Sequence, residues 1–444
     1  MARSMLQEWE NELRELQCRI SCRFARPQPR RRALSYLRSL IGTSGRKNGW
    51  QIAEAAGEST PDGMQRLLGT ARWDAGQVRD DLRSYVVEHF GEPKAVLMVD
   101  ETGFLKRGNK SVGVKRQYSG TAGGTENCQV GVFLCYASAR GAAFIDRALY
   151  LPREWAKDQG RRAEAGIPEE VGFTTKPALA QRMLERAFEA GVPARWVVAD
   201  ALYGSNRSLR MFLERREQPF VLAVKSDESL WTLTDRGPAQ VRADELGSEI
   251  RTGGWRRLSA GAGSKGERFY EWALVPLFRL QLSEEEGAWG HWLLVRRGIE
   301  DPDEIAYHVV FAPREGVSLQ ELVKVAGARW RIEDGFEAAK GEFGMDDYEV
   351  RKWIAWHRHI TLCLLAHAFV GVLRSKEVRK RGTPVDLLPL TLPEVRRLLC
   401  SLLLAKLPEE RAVLSWSCWR RRHQLRAKRC HYRRRLEHLQ RGNR

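Results

Sequence analysis

Membrane-spanning signals are missing from this 444-residue chain. The longest apolar run, Ile360 to Leu373, contains His367, is too short to span a bilayer, and reads as a buried helix. The first segment, MARSMLQEWENELRELQ, lacks the apolar core of an export signal and reads as an amphipathic helix. Cysteine is present but unorganised. Eight residues (18, 22, 128, 135, 363, 400, 418 and 430) include no Cys-x2-Cys pair, and Cys18 and Cys22 are the one pair at helical spacing. That argues against a structural zinc site or a disulfide framework and for a reducing, cytoplasmic compartment. Also lacking are an internal repeat, a glycine loop that would cradle phosphate, and a Ser/His/Asp set.

Acidic residues are scarce in two places. Between Arg19 and Lys47 there are nine basic residues and no acid; from Arg420 to Arg444 there are eleven against Glu437 alone. Overall 74 Lys and Arg face 56 Asp and Glu, a net charge of +18, of which the C-terminal tract supplies ten. Clustering of this kind is the electrostatic footprint of a polyanion partner, because every phosphate neutralised releases condensed counterions.

The length predicts two or three domains. Residues 1–92 read as helical, with Leu6, Trp9, Leu13 and Leu16 recurring at spacings of three and four. Within them RFARPQPRRR carries Arg30, Arg31 and Arg32, and WQIAEAAGESTPDGMQRLLGTARW reads as helix-turn-helix or a plain helical hairpin. A helical DNA-binding domain is the expectation. From 93 to 228 short apolar strands (KAVLMVD, QVGVFLCYAS, ARWVVAD, PFVLAVKS) alternate with helices, predicting an α/β sheet. Residues 229–312 read as a β-rich insertion with turns at TGGW and SAGAGSKG, and 313–405 as helical. Residues 406–444 form a basic tail in which WSCWRRRHQLRAKRCHYRRR interleaves aromatics with Arg420, Arg421 and Arg422, predicting a helix against DNA or a partner protomer.

Three carboxylates sit where a metal-assisted site needs them. Asp100 ends KAVLMVD, Asp200 ends ARWVVAD, and Glu333 lies in ARWRIEDGFEAAK. Cutting a phosphodiester requires one oxygen to attack while another leaves, and two hard divalent ions bound by carboxylates serve both. Taken singly, an acid after an apolar strand is commonly a capping residue. Glu101 is expected on the face opposite Asp100 by strand alternation. Glu337 is a candidate supporting group and Asp334 points away; His357 and His359 are expected to pack or to touch DNA.

The chain resembles the DDE transposases of bacterial insertion sequences, in the branch carrying a Tyr-x2-Arg-x3-Glu-x6-Lys signature. Arg329, Glu333 and Lys340 match that spacing, VDETGF and ADALYG match the two Asp motifs, and DDYEVRKWIAWHRHITLCLLAHAF looks like the helical stretch that follows. The resemblance covers about residues 93–375; the Tyr of the signature falls on Ala326. It implies an RNase H-like mixed sheet flanked by helices, split around the β-rich insertion. It implies Asp100, Asp200 and Glu333 as catalytic ligands of two Mg2+ (or Mn2+), with Arg329 and Lys340 on one helix face holding DNA phosphates. It further implies binding of inverted-repeat ends and target double-stranded DNA, a homodimer that brings two ends together, and a bacterial, nucleoid-associated location. In this branch a Trp of the insertion stacks on a flipped base; Trp231, Trp255, Trp272, Trp289 and Trp292 are candidates. A catalytically silent relative and a plain nuclease of the same fold are the alternatives. Retention of all three acids argues against the first, and the long basic N-terminal region against the second.

Overall fold

The computed structural model describes residues 2–42, 45–263, 266–279, 284–381, 389–404 and 410–442. The expected boundary at 405/406 and residues 264–265 of the SAGAGSKG turn lie outside them.

Apolar runs bounded by turns become the strands β1 (Val96–Leu105), β3 (Gly124–Ser138), β4 (Gly141–Leu149), β5 (Trp196–Ala199) and β6 (Phe220–Val224), and the polar segment KRQYS forms the exposed strand β2 (Lys115–Ser119). β3 is antiparallel to β1, whereas β5 is parallel to β1 and β6 parallel to β5. β2 and β4 divide the other edge of β3, pairing with residues 124–128 and 131–138. The order β4-β3-β1-β5-β6, with β3 alone reversed, is the mixed sheet of an RNase H-like core. Val96–Val99 and all of β5 are buried, which is why both read as unbroken apolar runs.

Beyond β6 come β7 (Ser229–Thr234), β8 (Gly237–Arg242), β9 (Arg256–Gly263), β10 (Gly266–Leu277), β11 (Trp289–Arg297) and β12 (Ile305–Pro313). β12 runs antiparallel to β6, pairing Val309 with Leu222, so β12-β11-β10-β9 prolong the core sheet. β7 and β8 form a separate hairpin.

Among the described residues, five helices precede β1: Ala2–Ser21, Pro27–Ile41, Gly49–Ala55, Asp62–Gly69 and Ala75–Phe90. They are moored to the long helix Trp353–Arg381, which contains the buried apolar run read from the sequence. Trp9 Nε1 donates to Glu377 Oε1 at 3.0 Å, and the Tyr36 hydroxyl lies 2.8 Å from His359 Nδ1. Arg358 donates to the carbonyls of Leu67, Leu68 and Gly69 at the C-terminal end of Asp62–Gly69, and to those of Ala71 and Trp73 in the turn that follows. Burial pushes His357 and His359 down to about 3, so both are neutral packing residues. Among the described residues, no helix is long and apolar enough to cross a membrane.

Candidate active site

β1 is flanked on both sides only as far as Val99, where β5 stops pairing with it. Asp100 is the first residue past that point, and Asp200 the first past β5. Both carboxylates therefore emerge where the parallel pairing of β1 and β5 ends, the kind of edge where α/β sheets place their ligands. Asp200 N-caps the four-residue helix Ala201–Gly204, its Oδ1 accepting from Leu202 N at 3.0 Å. Gly204 is obligatory there, since a Cβ would lie 1.8 Å from the Ala223 carbonyl oxygen of the strand behind.

Glu333 arrives on the helix Trp330–Gly341. Its buried face, Ile332, Phe336 and Ala339, seats it on the sheet, with Phe336 4.9 Å from Phe144 and 5.4 Å from Phe133. Arg329, immediately before the helix, connects the elements. Its Nη2 is 2.7 Å from Glu333 Oε1 and its Nη1 3.4 Å from Asp100 Oδ2. Asp100 is the more sheltered partner, with its side chain 15% exposed against 38% for Glu333.

Asp100, Asp200 and Glu101 each bring an oxygen within 4.8 Å of the others. The placement of Glu101 corrects the alternation argument. Alternation sets the direction of Cβ, not of a carboxylate two carbons further out, and beyond Val99 β5 no longer flanks β1 on that side. Both Glu101 oxygens are held: Lys176 reaches Oε1 at 2.7 Å and the Tyr203 hydroxyl donates to Oε2 at 2.6 Å. Tyr203 belongs to the helix that Asp200 caps, so Glu101 ties that turn to β1. Sequence reasoning missed this strap; the adjacent acids in VDETGF were its one signal.

Burial, and then the neighbouring Asp200 charge, raise Asp100 to about 7; Arg329 offsets part of this. Burial and the Glu101 charge raise Asp200 as well. The raised affinity for protons marks an excess of negative charge that a hard cation with oxygen ligands would relieve. The donor set of Asp100, Glu101 and Asp200 thus fits a divalent metal ion, with Glu333 joined to Asp100 through Arg329.

The remaining sequence candidates are distributed as follows. Lys340 is engaged away from Glu333, donating to Thr102 Oγ1 at 2.7 Å and to Gly103 O and Thr121 Oγ1 at 3.1 Å. Burial lowers its pKa. Asp334 and Glu337 are exposed. Arg30 and Arg31 are exposed on Pro27–Ile41, whereas Arg32 makes a two-pronged pair with Glu58 at 2.7 and 3.1 Å. Arg420 pairs with Glu54 at 2.7 Å, and Arg421 and Arg422 are exposed. Of the five tryptophans, Trp272 is buried, Trp289 stacks on Phe311 at 4.7 Å, and Trp255 lies under Arg297. Trp292 is half-buried, and Trp231, on β7, is the most exposed of the five at 48%.

Residues 19–262 match the family described as DDE superfamily endonuclease, and residues 174–369 match the one described as transposase DDE domain. A probable transposase for insertion sequence element IS701 from Microchaete diplosiphon is 25% identical over 304 residues, which is 68% of this chain and 71% of that protein. A cryo-EM structure of the piggyBac transposase synaptic complex with hairpin DNA aligns with 77% of this chain and 62% of its own, at 13% identity and a TM-score of 0.35.

Proposed function

Because the chain belongs to the DDE superfamily of endonucleases and transposases, we propose that it binds the inverted-repeat ends of its element, cleaves phosphodiester bonds there and joins the freed 3′ ends to target DNA. The observation that carries this reading is the convergence of Asp100, Glu101 and Asp200 at one place, with Arg329 bridging Asp100 to Glu333.

Asp100, Asp200 and Glu333 are the residues that would hold a pair of Mg2+ or Mn2+ ions. Bound there, such ions supply Lewis acidity to the attacking and the leaving oxygen. The protein's own part is positional. Rigid strands set Asp100 and Asp200, the Glu101–Tyr203 contact fixes the turn that carries Asp200, and the packed helix aims Glu333. Arg329 presents a fork of donors that can serve a phosphate while still touching an acid. Lys340, in this reading, steadies β1 through Thr102 and leaves phosphate binding to Arg329. Arg31, Arg421 and Arg422 are exposed to neutralise backbone phosphates, as is Arg30 beside its bond to the Phe24 carbonyl, whereas Arg32 and Arg420 already serve carboxylates. Trp231 is the tryptophan best exposed for stacking on an unpaired base. Synapsis of two ends calls for a homodimer.

The test is incubation of the purified protein with a duplex carrying the element's end and flanking DNA, with and without Mg2+. Site-specific nicks that leave a 3′ hydroxyl support the reading; binding without any cleavage points to the silent relative.

A further inference from the structure

Two basic tracts far apart in sequence meet through a cluster of aromatic side chains. The C-terminal helix Glu410–Gly442 starts beside the short helix Gly49–Ala55 and the turn that follows it. Trp416 is buried, and its indole N–H donates to the Glu58 carbonyl at 2.6 Å. Trp419 meets the Trp50 ring edge-on at 4.6 Å, and His423 stacks on Trp419 at 5.3 Å while touching Trp50. Arg420 reaches both Glu54 oxygens at 2.7 Å. Positions 416, 419, 420 and 423 share one helix face, so the contact is a seam. Glu58 joins it to the other tract: its carbonyl receives Trp416 while its carboxylate holds Arg32 of Pro27–Ile41.

Past the seam, residues 421–434 contain seven Arg and Lys, all exposed, and no acid. At helical rise they form a cationic rod of about 21 Å. On Pro27–Ile41, Arg30, Arg31 and Arg38 are exposed as well.

We propose that the Trp50–Trp416–Trp419–His423 seam is a latch that joins the two tracts into one composite surface for the backbone of double-stranded DNA. The latch sets DNA affinity by holding the rod in place, without its aromatic rings touching DNA. The inference deepens the DNA-binding reading above and rests on it. Charge selects the occupant. A rod with seven cations and no acid repels a second copy of itself, while duplex DNA presents a phosphate charge about every 1.7 Å. Leu425 and Tyr432, exposed and seven apart, are the features a second copy would use instead.

The test compares the full chain with its Trp416→Ala/Trp419→Ala variant on a duplex of about 30 base pairs of arbitrary sequence, without divalent metal, from about 50 to 300 mM salt. The variant removes no charge. It is expected to bind about tenfold more weakly in low salt and to flatten the log–log salt slope by about three or more. Circular dichroism and thermal melting report whether the fold survives; Trp416→Phe, which keeps the packing and loses the indole donor, is expected to fall between the two. A second variant, Arg426→Glu/Arg429→Glu, leaves the seam intact and is expected to flatten the slope in the same way. An unchanged slope in either double variant overturns the proposal. So does loss of a dimer on sedimentation with an unchanged slope, which would assign the helix to a second copy. Absence of salt-dependent binding by the unaltered chain would instead remove the DNA-binding reading itself.

Discussion

Arg329 and Asp100 face each other with Nη1 3.4 Å from Oδ2, although 229 residues separate them in sequence. The same guanidinium holds Glu333 at 2.7 Å, so one side chain sets the spacing between the strand acid and the helix acid. Arg329→Ala is expected to lower the end-cleavage rate about a hundredfold, the scale on which removal of one preorganised group acts, while the melting temperature stays within a few degrees. Arg329→Lys should recover only part of that, since an ammonium cannot span two carboxylates with a fixed fork. Single-turnover cleavage with the pre-bound end measures it. Full recovery by Lys would show that charge alone matters.

Glu101 offers a separate check on the supporting geometry. Glu101→Gln and Tyr203→Phe each break the strap that fixes the turn bearing Asp200. Losing an outer partner of a metal ligand typically costs 10–100-fold in metal affinity. The Mn2+ concentration that half-saturates the thermal shift should therefore rise about tenfold in each variant. If Mn2+ stabilises both as it does the unaltered chain, Glu101 has no part in shaping the site.

The two acids were legible because a strand buried on both sides must be apolar, and Asp100 and Asp200 break the run where the β1–β5 pairing ends. The Arg329–Glu333 spacing was legible because four residues make about one helical turn. Strand β1 was read as ending at Asp100, yet it continues to Leu105, because β3 goes on pairing after β5 has turned away. Glu101 was misplaced because alternation governs backbone direction, whereas its partners Lys176 and Tyr203 lie 75 and 102 residues along the chain. For the same reason Arg32, Lys340 and Arg420 read as free cations. Their acceptors Glu58, Thr102 and Glu54 are set by tertiary packing, which local charge patterns do not encode.

Acid should loosen the N-terminal helices through Glu12. Burial alone would raise its pKa, but hydrogen bonds with His89, Lys376 and Tyr85 outweigh burial and lower it from 4.5 to about 2. A depressed folded-state pKa means the stabilisation is complete above pH 4.5 and is lost as pH falls towards 2. The shift corresponds to roughly 3 kcal/mol at most. Urea unfolding at several pH values should show Glu12→Gln less stable near neutrality, with a shallower decline in acid. Parallel declines would contradict the assignment.

Arg358 is expected to be the most costly single truncation in the helical part. Arg358→Ala removes the guanidinium from the carbonyls of Leu68, Gly69, Ala71 and Trp73 near the buried helix Trp353–Arg381, while Leu67 keeps the Trp73 indole as donor. Unsatisfied buried acceptors cost about 1–3 kcal/mol each before water repairs any of them. A loss of about 3 kcal/mol or more on chemical denaturation is expected; a loss below about 1 kcal/mol would mean that water replaces the guanidinium at no cost.

The most direct measurement takes Asp100→Ala, Asp200→Ala and Glu333→Ala through one assay, scoring binding and Mg2+-dependent nicking of the same end duplex. All three variants should bind that duplex with near-normal affinity and nick it at least about a thousandfold more slowly. Ordinary nicking by the Glu333 variant, with the two Asp variants inactive, would strike Glu333 from the catalytic set. Ordinary nicking by all three would put the chemistry elsewhere in the molecule.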